Sequence, residues 1–124
     1  MKQTLSASQR LHDKEIFERA LKTKAFVEKW IAIHVELNAV GFDRLGMIVS
    51  KRVVPKASRR NLIKRLIREE FRTSAATSKH SYDLVVKIRK RFLPEETASF
   101  RRIMSHLFTK VRKKENDAPN FVNH

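Results

Sequence analysis

Lys51, Arg52, Lys56, Arg59, Arg60, Lys64, Arg65 and Arg68 put eight cations between Lys51 and Arg68, a stretch that contains no acid. On a helix of 3.6 residues per turn, Arg60, Asn61, Lys64, Arg65, Arg68 and Arg72 fall within one arc of roughly 140°, and Ile63, Leu66 and Ile67 fall on the opposite side. Guanidinium groups grip phosphate oxygens in pairs or lie against bases, and ammonium groups act as point charges. The chemistry on offer is therefore polyanion recognition. A face that serves only solubility mixes both signs of charge, whereas Glu69 and Glu70 arrive only at the helix end, Glu70 toward the apolar arc. Groups for bond-making chemistry are sparse. His12, His34, His80, His106 and His124 are scattered, without metal-ligand spacing and without an adjacent nucleophile. The lack of Cys excludes disulfides, thiolate zinc sites and cysteine nucleophiles, and Gly41 and Gly46 form no loop able to cradle a nucleotide phosphate.

The basic helix, about Ser58 to Arg72, needs a core for its apolar side. Upstream, Asp13 to Lys24 has helical spacing at Ile16, Phe17, Ala20 and Leu21, with Asp13 placed to cap it. Trp30 to Leu37 alternates with period two. This predicts a strand with Ile31, Ile33, Val35 and Leu37 on one face and Trp30, Ala32, His34 and Glu36 on the other. Asn38 to Arg44 predicts a turn, and Leu45 to Ser50 a short strand that delivers the chain to Lys51. Beyond a polar loop from Thr73 to Ser81, Tyr82 to Ile88 suits an inner strand, and Arg89, Lys90 and Arg91 follow it. Leu93 and Pro94 open a last helix with Glu95 and Glu96 at its positive end. Phe100, Ile103, Met104, Leu107, Phe108 and Val111 make its apolar stripe.

A chain of 124 residues with 41% hydrophobic residues makes one domain with a real core. Residues 1–114 are expected to form an RNA-binding domain, and 115–124, which lack periodicity, a disordered tail. With 28 Lys plus Arg against 13 Asp plus Glu, the net charge of +15 exceeds what solubility requires and favours a nucleic-acid partner. The opening MKQTLSASQR has no apolar run suited to a signal peptide, and no spanning segment or lipidation signal is visible. The expected location is the cytoplasm, away from membranes.

The run GMIVSKRVVPKASRRNLIKRLIREEF, Gly46 to Phe71, resembles the signature region of the bacterial ribonuclease P protein family. That family's hallmark is an Arg-Asn-Arg triplet followed by Ile-Lys-Arg and an Arg-Glu or similar pair. Here the triplet is Arg60, Asn61 and Leu62. Leu62 lies beside the apolar arc, so the ridge is one cation poorer but unbroken. The likeness extends to Arg10 and Leu11, Phe17, both long strands and the closing helix.

The resemblance implies a single small α+β domain, with about four strands and three helices in the order helix, strand, strand, strand, helix, strand, helix. It implies a two-layer sandwich with a left-handed crossover, against the right-handed default. The residues themselves yield three strands, and Lys51 to Val54 is the place left for a fourth. The implied function is that of the protein subunit of ribonuclease P, a tRNA-processing endonuclease and ribonucleoprotein that removes the 5′ leader of precursor tRNA. Hydrolysis belongs to a catalytic RNA with bound Mg2+. The protein has no catalytic residue, no metal or cofactor of its own and no obligate protein partner. Carried over residue by residue, Lys51, Arg52, Lys56, Arg59, Arg60, Asn61, Lys64, Arg65 and Arg68 match the region that binds the catalytic RNA. Asn61 equally suits holding the loop before the helix. Phe17, Leu21, Trp30 and His34 fall at or near positions of a leader-binding cleft, where flat side chains stack on single strands. Phe17 suits a core as readily. Composition alone equally permits a ribosomal or general structured-RNA-binding protein with no role in cleavage.

Overall fold

Tyr82, Leu84, Val86 and Ile88 alternate with Asp83, Val85 and Lys87 along a strand in which only Lys87 is exposed and Ser81 half-buried, which places that strand inside the sheet. The computed structural model describes residues 10–11, 14–74 and 80–117, with side chains as far as Val111. Helix α1 (Lys14–Leu21), strands β1 (Ala25–Glu28), β2 (Ile31–Asn38) and β3 (Arg44–Ile48), helix α2 (Ala57–Thr73), strand β4 (Ser81–Ile88) and helix α3 (Thr97–Asp117) follow one another in the expected order. The sheet runs β1-β2-β4-β3, and only the β3–β4 pair is parallel. The crossover between those two strands is α2, which is how the basic helix comes to start just beyond the end of β3.

Ile31, Ile33 and Val35 of β2 and Leu84, Val86 and Ile88 of β4 share the sheet face that meets α2 and α3. From α2 come Ile63, Leu66, Ile67 and Phe71, and from α3 come Phe100, Met104, Leu107, Phe108 and Val111, all buried. At about 1.5–3 kcal/mol for each large side chain fully removed from water, this layer dominates the stability. Helix α1 covers part of the other face, where Ala20, Leu11 and Val85 are buried with Ile16, Phe17, Leu21 and Ile48 around them. The domain is thus a two-layer sandwich with one additional short helix across the back of its sheet.

The fourth strand is β1, not Lys51 to Val54. The latter is a turn in which Ser50 accepts from the Val54 and Val53 amides through its carbonyl (2.9 Å) and Oγ (3.2 Å). Strand β1 is four residues long and joins β2 through a two-residue turn, Lys29 and Trp30, that contains none of the Gly, Asn or Asp by which hairpin turns are recognised. Trp30 consequently lies outside the pleat, so the alternation starts at Ile31. Its ring goes to the main core against Phe92 and Phe100, at 5.6 and 6.4 Å between centroids. Helix α3 continues through Asp117, three residues into the segment expected to lack order. Residues 118–124, and Asp13 as the cap of α1, lie outside the described residues.

At the end of the sheet away from Lys51, Asp83 is 1% exposed. It accepts from Arg44 Nε and Nη2 at 2.7 and 2.9 Å and from Asn38 Nδ2 at 2.8 Å. A buried carboxylate is tolerable only with its lone pairs filled in this way. The Tyr82 amide donates to Asp43 Oδ1 at 2.8 Å, and Gly41 takes the left-handed φ of 94° that the β2–β3 turn requires. These bonds fix the register of β3, and through it the place where the basic loop begins.

Candidate nucleic-acid interface

Helix α2 has no acid in its first turn and no side-chain cap at Lys56, so its free amides and positive dipole end add to the cations around them. Lys51, Arg52 and Lys56 are exposed in the loop leading to it, Asn61 and Arg65 are exposed on its outer face, and Lys64, Arg68 and Arg72 are half-buried beside them. The ridge read from the sequence is therefore continuous from the β3–α2 loop to the last turn of the helix.

Two of its expected members do other work. Arg59 stands four residues before Ile63 and seven before Leu66, hence on their side of the helix. Its guanidinium carbon lies 5.0 Å from the centroid of the Phe92 ring, and its Nη2 donates to the Phe92 carbonyl at 2.9 Å. The expectation that Arg59 belongs to the outward ridge is thus corrected: it clamps the β4–α3 connection. Arg60 turns back, and its Nη1 donates to the carbonyls of Val54 and Pro55 at 3.0 and 2.8 Å. The loop-holding role considered for Asn61 belongs to Arg60.

On the opposite face, α1, β2 and the parallel pair border a shallow surface. Phe17 and Leu21 are half-buried there, as is His34. A methyl group built on Gly46 would lie 2.6 Å from Phe17 Cε2, so the glycine leaves room for the aromatic ring to lie against the strand. Sequence reading missed this role, although a glycine inside a strand pattern is itself a sign of close approach. His34 donates from Nδ1 to the Thr23 carbonyl at 2.8 Å, and the Thr23 hydroxyl donates to the Ala20 carbonyl at 2.7 Å. His34 thereby ties the end of α1 to β2. Trp30, expected on the face of His34, is 6% exposed and sits in the other core; it is corrected from platform to core residue. Phe17, Leu21 and His34 are brought together, and Trp30 is not.

The arrangement matches a known family over nearly all of its length. The family model described as Ribonuclease P matches residues 5–112. The ribonuclease P protein component of Nitrosomonas eutropha is 34% identical over 113 residues, 89% of this chain and 90% of the relative. That of an Azoarcus species is 32% identical over 95 residues, 77% of this chain and 74% of the relative. Among solved structures, the Staphylococcus aureus RNase P protein superimposes with a TM-score of 0.71 at 25% identity, covering 84% of this chain and 95% of that one. The Thermotoga maritima RNase P protein, with a TM-score of 0.64 at 24% identity over 85% of this chain and 96% of that one, has the same fold. On the family match, the curated relatives and the shared αβββαβα sheet, this chain belongs to the ribonuclease P protein family.

Proposed function

We propose that this chain, as the protein component of an endoribonuclease holoenzyme, binds the catalytic RNA through the α2 ridge and its loop and receives the 5′ leader of precursor tRNA on the α1 face. The observation that carries this reading is the one-signed surface made by Lys51, Arg52, Lys56, Asn61, Lys64, Arg65 and Arg68 on a helix whose other side is core. Such a ridge neutralises RNA phosphates and releases their counterions. Phe17, Leu21 and His34 offer a semi-exposed flat and apolar strip suited to an unpaired strand.

Cleavage itself falls to the RNA. The protein's Asp43 and Asp83, the acids that stand closest to a cluster, are held by the Tyr82 amide and by Arg44 and Asn38. They do not fit a magnesium site, and the Mg2+ of the reaction is assigned to the RNA partner. No described helix is long and apolar enough to cross a membrane. We place the work in the cytoplasm, where precursor tRNA is made.

The test is reconstitution with the catalytic RNA transcribed from the same genome. The mixture should cleave precursor tRNA at the mature 5′ end, and precursor should bind more tightly than mature tRNA. Equal affinity for the two forms would remove the leader from the account.

A further inference from the structure

The corner where the β1–β2 turn meets the β4–α3 connection holds a second set of cations apart from the α2 ridge. Arg89 donates from its amide to the Trp30 carbonyl at 2.7 Å and from Nη1 to the Lys29 carbonyl at 3.1 Å, which holds the two segments side by side. Lys90 and Arg91 follow, both exposed, and the Arg59 clamp on Phe92 sets this connection beside the first turn of α2. Of the nearby acids, Glu96 accepts from the Leu93 amide at 2.8 Å and Glu28 stands toward His106 of α3, 3.9 Å away; Glu95 is exposed.

Lys29 makes this corner more than a charge cluster. Its φ of 51° is the one positive value on a non-glycine residue among those described. Turns of this kind favour Gly, Asn or Asp at such a position, and a lysine there carries a conformational cost. An observed outlier of this sort is grounds for asking what function holds it. Its Nζ lies 4.5 Å from the centroid of the Trp30 ring, so the cation is set over a rigid base at the same corner as Arg89, Lys90 and Arg91.

We infer that Lys29, Arg89, Lys90 and Arg91 form a second phosphate-binding patch, which engages the backbone of the catalytic RNA beyond the α2 ridge. The inference rests on the reading of this chain as an RNA subunit. The connection is pinned by Arg59 and Arg89, so the patch is presented on a rigid corner where its charges are already in place.

The test compares two variants by binding to the catalytic RNA across a salt series. In the first, Lys29→Asn, Lys90→Gln and Arg91→Gln are combined; Asn accepts the left-handed conformation, and Arg89 is left alone because it ties the turn. In the second, Arg65→Gln and Arg68→Gln reduce the α2 ridge. The first variant should melt no lower than the parent, and its loss of affinity between 50 and 200 mM salt should shrink by about 40-fold, the effect of three phosphates no longer neutralised. A parental salt slope in the first variant with a shallower one in the second would overturn the patch and leave the ridge standing. Parental slopes in both would overturn the RNA reading itself. A lowered melting temperature with a parental slope would assign Lys29 to the Trp30 contact alone and overturn the patch.

Discussion

Phe17 is the residue on which the substrate surface turns. Its ring is half-buried against Gly46, between a platform and a core group. Phe17→Ala should cost less than the roughly 3–5 kcal/mol of a fully buried phenylalanine, and it should lower affinity for precursor tRNA more than for mature tRNA. Thermal melts beside the two affinities decide this, since a purely structural role moves both tRNAs together. Gly46→Ala should displace the ring at a cost of about 1–3 kcal/mol and narrow the same affinity ratio. At the other end of the sheet, Asp83→Ala should destabilise by about 3–5 kcal/mol, because it leaves the half-buried guanidinium of Arg44 without its carboxylate. Denaturant titration measures that loss. The residual folded fraction should bind RNA with the parental salt slope.

Helix α2 shows what a sequence discloses about an element and what it hides. Its length, its apolar arc and its outward cations were legible because single-sign charge at helical spacing has few other causes. The inward turn of Arg59 was present in the same periodicity, four residues before Ile63, but an arginine reads as surface until a partner such as Phe92 is known. Strand β1 was not legible at all. Four residues carry too little alternation, and a turn made of Lys29 and Trp30 lacks hairpin chemistry, so the pairing register supplied what the local sequence did not. Replacing Lys64, Arg65 and Arg68 with Ala, and keeping Arg60 for its bonds to Val54 and Pro55, should leave melting within about 0.5 kcal/mol per site. With about six phosphates neutralised by the parent, its affinity should fall on the order of 10³-fold between 50 and 200 mM salt, and that of the variant distinctly less. An unaltered slope in the folded variant would move the RNA contact away from α2.

At the scale of the molecule, a net charge of +15 on 124 residues makes the isolated protein a counterion for RNA, and the sheet with its helices serves to hold those charges in one geometry. The α+β order and the RNA surface were readable from the signature run, whereas Trp30 misled because alternation was carried one residue into a turn. The central claim is that the protein assists an RNA that performs the cleavage. Neutralising the repulsion between catalytic RNA and precursor tRNA is work that protein cations share with metal ions. The most direct measurement is therefore precursor-tRNA cleavage as a function of magnesium, with the RNA alone, the protein alone and the two combined. The account predicts no cleavage by the protein alone and half-maximal cleavage by the combination at a lower magnesium concentration than the RNA needs alone. Site-specific cleavage by rigorously nuclease-free protein without RNA, or an unshifted magnesium requirement in the combination, would contradict it.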